Sequence, residues 1–444
     1  MLTFILVLIL VLGVNTMIWG LVGICRGVAR RFRRFESGPN DGAVDLKSVA
    51  VLIAARNEEL VIRTTIYSVL AQRIPGDHVF VVSDGSTDQT AVIARSLGAQ
   101  VLELDPNRGK AGAIATAIEH FSLAEFFDVV TILDADTQLS ADYMATGLPL
   151  FDDAGVVAVA GRAATMSAPE PPTRFGRFLV AYRERFYVAV QYVLKFGQAA
   201  RSVNVVSIVP GFASMYRAGI LPRMDISAPG LVIEDFNMTF EVHAKRLGRI
   251  AFHPNAAVAY TQDPDTYTEY IRQLRRWSLG FWQTVRRHGF HFGRFWAALS
   301  LFILELVTSS IMLLLALPLL VVSTGVWIWE QLTATQVEAI DALQQVIPPT
   351  AIVLGVFVPD YLLTILVVAV TRRPKYLLVG VAFPFMRMID AAICLRTLAA
   401  AFVGPSSGGS TGTWKSPARH LAISIPGLRA SQPVDAKSGP GGLE

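Results

Sequence analysis

The stretch "VTILDADTQLS" covers residues 130–140. Its apolar, β-branched beginning, from Val129 to Leu133, predicts a buried strand, and that strand ends in two carboxylates, Asp134 and Asp136. Alternate residues of a strand point the same way, so the two carboxylates can converge on one object if the extended geometry persists. Like charges that close repel each other unless a cation lies between them. A simple turn with two solvated aspartates would fit the same pattern, so the rest of the chain has to decide.

The composition predicts an integral membrane protein. Of the 444 residues, 52% are hydrophobic and only 17% are charged, and the mean hydropathy is +0.46. An uncharged segment from Leu2 to Ile24 is long enough to span a membrane, and a basic cluster from Arg26 to Arg34 follows it. This order predicts a retained anchor over residues 1–25, with its N-terminus outside, rather than a cleaved signal peptide.

Two further apolar segments, residues 298–328 and 350–370, are each long enough to span. The loop between them has acids but no Lys or Arg, which places it outside by the positive-inside rule. The net charge of +4 is modest and the arginines cluster beside apolar segments, so we interpret them as topology and lipid contacts and expect no nucleic-acid partner. The two cysteines, Cys25 and Cys394, cannot form a disulfide framework or a zinc site.

The part between the apolar segments, residues 45–265, is predicted to be a cytosolic α/β domain. Strand-like apolar runs alternate with helical patterns four times, which indicates a mostly parallel sheet with helices on both faces. Ligands of such sheets bind outside the carboxyl ends of the strands. Six polar residues fall there: Asn57, Glu58, Asp84, Lys110, Asp134 and Asp136.

Glycine loops that cradle phosphates are missing from the sequence. It has no G-x-G-x-x-G after the first strand and no G-x-x-x-x-G-K-[ST], which argues against a dinucleotide oxidoreductase and a P-loop ATPase. A pyrophosphate would then need another source of positive charge. A divalent cation held by carboxylates is the natural device.

Taken together, the motifs resemble those of the inverting glycosyltransferases that include cellulose, chitin, hyaluronan and poly-N-acetylglucosamine synthases. They occur in the family's order over about 230 residues. The matching stretches are "ARNEE" (55–59), "SDGSTDQT" (83–90), "NRGKAGA" (107–113), "DAD" (134–136), "PGFASMYR" (210–217), "IED" (233–235) and "QLRRW" (273–277). The family's T-E-D is here Ile233-Glu234-Asp235, which keeps the acid pair but lacks a hydroxyl.

The resemblance implies a GT-A-type nucleotide-sugar-binding domain, inserted between transmembrane helices. Within it, Asp84 would receive the uracil or ribose of a nucleotide sugar, with Ala55, Arg56 and Glu58 lining the same end. A carboxylate can accept hydrogen bonds from ring N–H groups or ribose hydroxyls. The structural alternative for Asp84 is a cap of the helix that follows it.

The resemblance also assigns the diphosphate end. Lys110 and Arg276 would contact the diphosphate, while Asp136 and in part Asp134 would hold Mg²⁺ or Mn²⁺ against it and so improve the leaving group. A solvated surface position is the common alternative for a single lysine such as Lys110.

Asp235 is our candidate general base, with Glu234 beside it. Inversion at C1 requires one displacement by an acceptor hydroxyl, so one carboxylate must accept its proton. The stretch from Leu231 to Gly248 predicts a helix that acids open, where the macrodipole favours negative charge. Capping of that helix is the structural alternative.

Gln273, Arg276 and Trp277 are spaced to lie on one side of a helix within residues 266–296. In the resembled synthases Gln273 and Trp277 would bind the acceptor, since an indole offers a flat face to a sugar ring. The alternative is an amphipathic helix in the lipid headgroups, and both interpretations are compatible. Residues 174–196 form a second amphipathic candidate.

The segment 376–402, the last part of the C-terminal membrane region 297–402, carries conflicting signals. It is long enough to cross once, but it contains residues that are costly in lipid or break a helix: Pro384, Arg387, Asp390 and Arg396. We expect a break at Pro384 and a return to the cytosolic interface near Trp277, which brings Trp414 of the Gly/Ser/Pro-rich tail (403–444) close to the active site. A plain span with an external tail is the alternative.

We therefore interpret the chain as a plasma-membrane synthase, with a cytosolic catalytic domain, that extends a β-linked polysaccharide from a UDP-sugar and secretes it through its own transmembrane segments. Poly-N-acetylglucosamine and hyaluronan synthases are the types it resembles. One alternative is transfer of a single sugar to a membrane lipid, as in ceramide-type glucosyltransferases. A second is a noncatalytic nucleotide-binding scaffold. The expected partners are the UDP-sugar, a growing polysaccharide or lipid acceptor, and membrane lipids.

Overall fold

The structure is a computed structural model that describes residues 13–32, 44–166, 168–333 and 348–403, with positions 338, 342 and 345 between them. The α-helices in these residues are α1 (Val14–Phe32), α2 (Ile62–Leu70), α3 (Thr90–Ser96), α4 (Gly109–His120), α5 (Leu123–Phe126), α6 (Tyr143–Gly147), α7 (Arg174–Val188), α8 (Phe196–Gln198), α9 (Glu234–Ala244), α10 (Tyr267–His288), α11 (Arg294–Thr333), α12 (Pro349–Ile352), α13 (Val358–Thr371), α14 (Tyr376–Val379) and α15 (Phe383–Val403).

Strands in the described residues form two sheets. They are β1 (Val49–Ala55), β2 (Val79–Asp84), β3 (Gln100–Leu104), β4 (Val129–Asp134), β5 (Gln138–Leu139), β6 (Val156–Ala160), β7 (Arg162–Thr165), β8 (Ala213–Arg217), β9 (Arg249–Ala251) and β10 (Val258–Thr261). The main sheet has the order β3-β2-β1-β4-β8-β6-β9, and a small sheet has the order β5-β10-β7. In the main sheet only β8 runs antiparallel to its neighbours, β4 and β6. The predicted mostly parallel α/β domain is confirmed.

Strand β1 shows why the sheet needs helices on both faces. All seven of its residues are buried. Leu52 and its alternate neighbours pack into one apolar core with helix α4, whereas Ile53 and its neighbours pack into a second core with helix α2. A central strand without a polar face is typical of a doubly covered parallel sheet. The carboxyl ends of β1, β2 and β4 therefore meet at one edge, as predicted.

The amphipathic stretch 174–196 is helical, as predicted. It consists of α7, a π-helical segment (Ala189–Lys195) and the short α8. In the π-helical segment Gln191 bonds the backbone of Ala163 in both directions, donating from Nε2 at 2.9 Å and accepting at Oε1 at 2.7 Å. This side chain therefore attaches the helix to the free edge of β7.

Three helical segments in the described residues are long and apolar enough to cross a membrane: Arg294–Thr333, Val353–Thr371 and Tyr376–Val403. The first two confirm the predicted segments 298–328 and 350–370. In the third, the helix is interrupted by a 3-10 turn at Gly380–Ala382 and not at Pro384, so the predicted position of the break is wrong. Pro384 lies in the first turn of α15, where a proline is tolerated, and α15 then continues unbroken.

All of the candidate spans among the described residues are C-terminal. Helix α1 is apolar over Val14–Val28, which is shorter than a spanning helix. The predicted anchor 1–25 falls partly on residues 1–12, which lie outside the described residues, as does the tail with Trp414. These two predictions therefore stay predictions.

Helices α10 and α15 lie side by side. The Tyr270 hydroxyl donates to Asp390 Oδ1 at 2.5 Å at one end of the contact. At the other end, Arg286 Nη1 donates to the carbonyl of Ala401 at 2.7 Å. Between them, Trp282 Nε1 donates to the carbonyl of Cys394 at 3.2 Å. The predicted "QLRRW" helix is thus packed along the last apolar helix.

Candidate active site

Three neighbouring strands deliver the predicted nucleotide end of the site. Ala55 ends β1, Asp84 ends β2 and Asp134 ends β4. The parallel register pairs Ala54 with Asp134 and Ala55 with Ser83 across β1. The polar residues that follow these strands therefore start from adjacent points of one sheet edge.

The loops after β1 and β2 are bonded to each other. The amide of Asn57 donates to Ser86 Oγ at 3.1 Å, and the Asn57 side-chain oxygen accepts from Thr87 N at 2.8 Å. The amide of Glu58 donates to Thr90 Oγ1 at 2.8 Å. Gly85 adopts a φ of 66°, which a side chain would strain, and a Cβ there would lie 3.0 Å from Asn107 Cβ. The backbone around Asp84 is therefore fixed by contacts on both sides.

Asp84 is fully buried at this edge. Its Oδ1 accepts from the amide of Arg108 at 2.6 Å, whereas Oδ2 has no hydrogen-bond partner in the part of the chain that the structure describes. The first turn of α3 uses Asp88 instead, whose carboxylate accepts from Thr90 N at 3.0 Å. The capping role that we considered for Asp84 is therefore wrong. A buried acceptor without a partner suits a ligand donor.

Lys110 lies between two carboxylates rather than in solvent. Its Nζ is 2.7 Å from Asp134 Oδ1, 2.7 Å from Glu234 Oε1 and 3.3 Å from the carbonyl of Gly211. Burial disfavours the charged ammonium, but the two carboxylates outweigh burial and raise the pKa of Lys110. Lys110 therefore stays charged and joins the end of β4 to the start of α9, and the solvated alternative is wrong.

Glu234 and Asp235 are the first two residues of α9, as the acid-rich start predicted. Asp235 Oδ1 accepts from the amide of Phe236 at 2.7 Å, and Oδ2 accepts from the amide of Gly211 at 3.3 Å. Burial raises the pKa of Glu234, but Lys110 outweighs burial and the pKa lies below its usual value. Burial and the charge of Glu234 raise the pKa of Asp235 to about 6. Two adjacent acids thus have opposite shifts.

Helix α10 carries the three predicted residues of the "QLRRW" motif, and Arg276 lies near the acid pair. Arg276 is exposed and close enough to Glu234 to help lower the pKa of that acid. Gln273 Oε1 is buried and has no hydrogen-bond partner among the described residues. Trp277 is half-buried. The shared face that their spacing predicts for these three residues stays a prediction.

Ile233, which replaces the family's threonine, has a packing role. Ile233 is buried against Gly280 of α10. A Cβ atom added to Gly280 would lie only 2.9 Å from the Cβ of Ile233. One residue earlier, the amide of Val232 donates to Gln283 Oε1 at 3.0 Å. The chain before the acid pair is therefore seated directly on α10.

Two basic residues near the site were missed by sequence analysis. Lys195 is 4% exposed at the end of the π-helical segment, where burial lowers its pKa to about 8 although the charge of Asp235 opposes the shift. Arg183, on α7, lies over the ring of Trp277. The pattern of residues 174–196 predicted the helix but not which site these side chains would meet.

Asp134 and Asp136 are neighbours at the end of β4, and burial together with the charge of Asp136 raises the pKa of Asp134 although Lys110 opposes the shift. The described residues contain no group of three or more His, Cys, Asp or Glu side chains that could hold a metal. The chain therefore fits a divalent cation only if oxygen atoms of a substrate supply the remaining ligands.

Comparison with known proteins identifies the family of the chain. A family model described as "Glycosyltransferase like family 2" matches residues 47–280. The chain is 27% identical over 272 residues to a probable glycosyltransferase, YdaM, of Bacillus subtilis, covering 58% of this chain and 61% of that protein. It is 24% identical over 257 residues to a poly-beta-1,6-N-acetyl-D-glucosamine synthase of Staphylococcus epidermidis, covering 54% of this chain and 58% of that protein. The chain thus spans about three fifths of the length of these relatives.

Among the solved structures that match the chain is the mannosyltransferase PcManGT from Pyrobaculum calidifontis, in complex with GDP-Man and Mn²⁺. The superposition has a TM-score of 0.48 at 18% identity and covers 86% of this chain and 98% of that chain.

Proposed function

The chain belongs to glycosyltransferase family 2, and from that premise we propose that it is an inverting synthase that extends a β-linked polysaccharide from a UDP-sugar. Its GT-A-like, mostly parallel α/β domain precedes the three long apolar helices. Relatives named as poly-beta-1,6-N-acetyl-D-glucosamine synthases support a polymer as the product. The proposal places the catalytic domain at a membrane, where donor and polymer meet.

The observation that carries the proposal is the position of Lys110. A single side chain contacts Asp134 at the end of β4 and Glu234 at the start of α9, both at 2.7 Å. Lys110 thus bridges two parts of the proposed site: the strand end that would hold the nucleotide diphosphate and the acid pair proposed for catalysis. A donor bound at the strand ends would present its sugar to Asp235.

The reaction needs one proton transfer and one displacement. The acceptor hydroxyl oxygen attacks C1 from the side opposite the diphosphate, the C1–O bond to the diphosphate breaks, and UDP leaves with that electron pair. Asp235 accepts the hydroxyl proton, for which a pKa of about 6 is suited near neutral pH. Glu234, kept ionised by Lys110, stays a charged partner. Because the attack comes from the opposite face, an α-linked donor gives a β-linked product.

The binding residues follow the same order along the sheet edge. Asp84, with its unsatisfied Oδ2, accepts hydrogen bonds from the uracil or ribose, and Ala55, Arg56 and Glu58 line that end. Arg276 binds the diphosphate as a charged fork. Gln273 and Trp277 bind the acceptor, because a buried amide oxygen and a flat indole match a sugar's hydroxyls and ring face.

Asp134 and Asp136 would hold Mg²⁺ or Mn²⁺ together with the diphosphate oxygens. The bound cation would offset the charge that develops on the leaving diphosphate. In this arrangement the protein supplies carboxylate oxygens, the type of ligand that both cations prefer.

Purified protein in detergent should release UDP from one UDP-sugar of a panel and convert it into a polymer. A single glycolipid product in a sizing assay would instead indicate transfer to a membrane lipid. If no donor releases UDP but the protein still binds UDP, the proposed transferase activity is contradicted and a noncatalytic nucleotide-binding scaffold is supported.

Asp235→Asn should lower kcat by about 10² to 10⁴, the usual contribution of a general base. The wild-type rate should fall as the pH drops through about 6, because only ionised Asp235 can accept the proton. The rate of the variant should lack this acidic limb. UDP affinity, measured by calorimetry, should stay near the wild-type value; a loss of UDP binding would show that Asp235 binds nucleotide or supports the fold.

Mn²⁺ and UDP together should raise the thermal unfolding midpoint by more than the sum of the two shifts measured with each ligand alone. We expect this because each ligand completes the binding site of the other. When the free ligand concentration is a hundred times its Kd, binding raises the free energy of unfolding by about 2.7 kcal/mol. EDTA should abolish the synergy, and so should Asp136→Asn, whereas the exposed control Asp77→Asn should keep it. A UDP-induced shift that is the same in EDTA would exclude the metal role.

We further propose that α15 lies at the membrane interface and does not cross. It packs along α10, which carries Arg272, Arg275 and Arg276. Charged side chains are costly inside hydrocarbon, so α10 belongs at the headgroups. A helix that follows α10 from Tyr270 to Arg286 must lie at a similar depth.

A cysteine introduced by Ser416→Cys, with Cys25→Ser and Cys394→Ser as background, should then resist an impermeant maleimide in intact cells. Thr335→Cys, in the loop predicted outside, should react and serves as the matched control. Equal labelling at both positions would place the tail outside and would mean that α15 crosses the membrane.

A further inference from the structure

One face of the Trp277 ring is covered by a buried arginine. The guanidinium carbon of Arg183, on α7, lies 4.2 Å from the centroid of that ring, on α10. Arg183 is only 3% exposed, whereas Trp277 keeps part of its surface open. A cation this close to an indole face is attracted by the ring, and the attraction is stronger when the pair is desolvated.

The guanidinium is held by polar contacts with Tyr187 and Asp263. Its Nη2 donates to the Tyr187 hydroxyl at 3.2 Å, and its Nε is 3.7 Å from Asp263 Oδ1. The carboxylate of Asp263 is itself fixed, since Tyr187 donates to one oxygen and Thr165 to the other, both at 2.8 Å. Strand β7, helix α7 and the chain after β10 therefore determine where Arg183 lies.

Arg185 shows that these contacts are specific to Arg183. It is equally buried and only two residues further along α7. Its guanidinium contacts Asp360 of α13 at 2.6 Å and lies 5.1 Å from the centroid of Phe383, at the start of α15. One arginine of this helix thus joins the apolar helices, while the other faces the motif helix α10.

We propose that Arg183 is a positioning residue that fixes the indole of Trp277 and so presents the opposite ring face to the sugar ring of the acceptor. This inference rests on the proposed function, in which Trp277 binds the acceptor. Arg183 has no described contact with the residues proposed to bind the donor. It therefore affects binding of the acceptor and leaves binding of the donor unchanged.

The kinetic test uses, as acceptor, a defined tetrasaccharide of the sugar that the donor panel selects. Arg183→Gln should raise the acceptor KM about 5- to 30-fold, the range that a partly to fully desolvated cation–π contact spans. The donor KM and the slow hydrolysis of the UDP-sugar by water should stay within about twofold. Arg183→Lys should not restore the acceptor KM, because its ammonium can neutralise Asp263 but lacks the planar group that stacks on the ring.

Three results would overturn the inference. They are an unchanged acceptor KM in Arg183→Gln, full rescue by Arg183→Lys, and the same rise in acceptor KM in the matched control Arg185→Lys. If Arg183→Gln fails to fold because Asp263 is left unpaired, Arg183→Met combined with Asp263→Asn removes both charges and should show the same rise.

A second measurement does not depend on catalysis. Oxidation of Trp277 by N-bromosuccinimide, followed by mass spectrometry of its peptide, should be several times faster in Arg183→Gln than in the wild type, because the covered face becomes accessible. Equal rates would contradict the contact. A wild type that transfers no sugar but shows this difference would refute the proposed function and leave the positioning of the indole intact.

Discussion

The ammonium group of Lys110 holds together the two halves of the site. Asp134 ends strand β4, at the proposed nucleotide side of the site, and Glu234 begins the helix that carries the proposed base. Each carboxylate lies 2.7 Å from Lys110 Nζ. Without this cation, the carboxylates of Asp134, Glu234 and Asp235 would place several negative charges in a poorly hydrated region. Removing one partner from such a buried group is strongly destabilising. The geometry of the acids therefore depends on this lysine, and so does their protonation.

The regular part of the fold could be predicted from the sequence because its signals are local. The apolar run of β4 and the acid-rich start of α9 each contain their own evidence, and the structure has both at the predicted positions. The reversal of β8 in an otherwise parallel neighbourhood was not predicted, because direction within a sheet depends on which strands pair and not on the residues of one strand. Arg183 and Lys195 were missed for a related reason. Periodicity shows which face of a helix is buried, but the partners of a buried cation come from distant segments.

The same limit explains the alternatives that sequence analysis left open. A single lysine is most often solvated, and aspartate is one of the residues favoured as a helix cap. Lys110 and Asp84 depart from these tendencies because of residues far away in the chain, such as Glu234 for the lysine. The Asp84 carboxylate accepts from the amide of Arg108, which belongs to a different loop, whereas Asp88 bonds the first turn of the helix that follows Asp84. The apolar segments also depend on distant partners. The apolar length of α15 does not show that this helix lies against α10, which is rich in arginine.

Two neighbouring acids, Glu234 and Asp235, have pKa values shifted in opposite directions. Glu234 and Asp235 differ by one position, yet the pKa of the first is lowered and that of the second is raised to about 6. Lys110 contacts Glu234 directly, so it stabilises that negative charge, and the ionised Glu234 in turn disfavours a second charge on Asp235. The charge of Lys110 and two amide hydrogen bonds, from Gly211 and Phe236, oppose this rise in the pKa of Asp235. When two acids have their pKa values pushed apart, their roles separate. One stays a fixed charge, and the other can accept a proton near neutral pH, as a base acting on a sugar hydroxyl must.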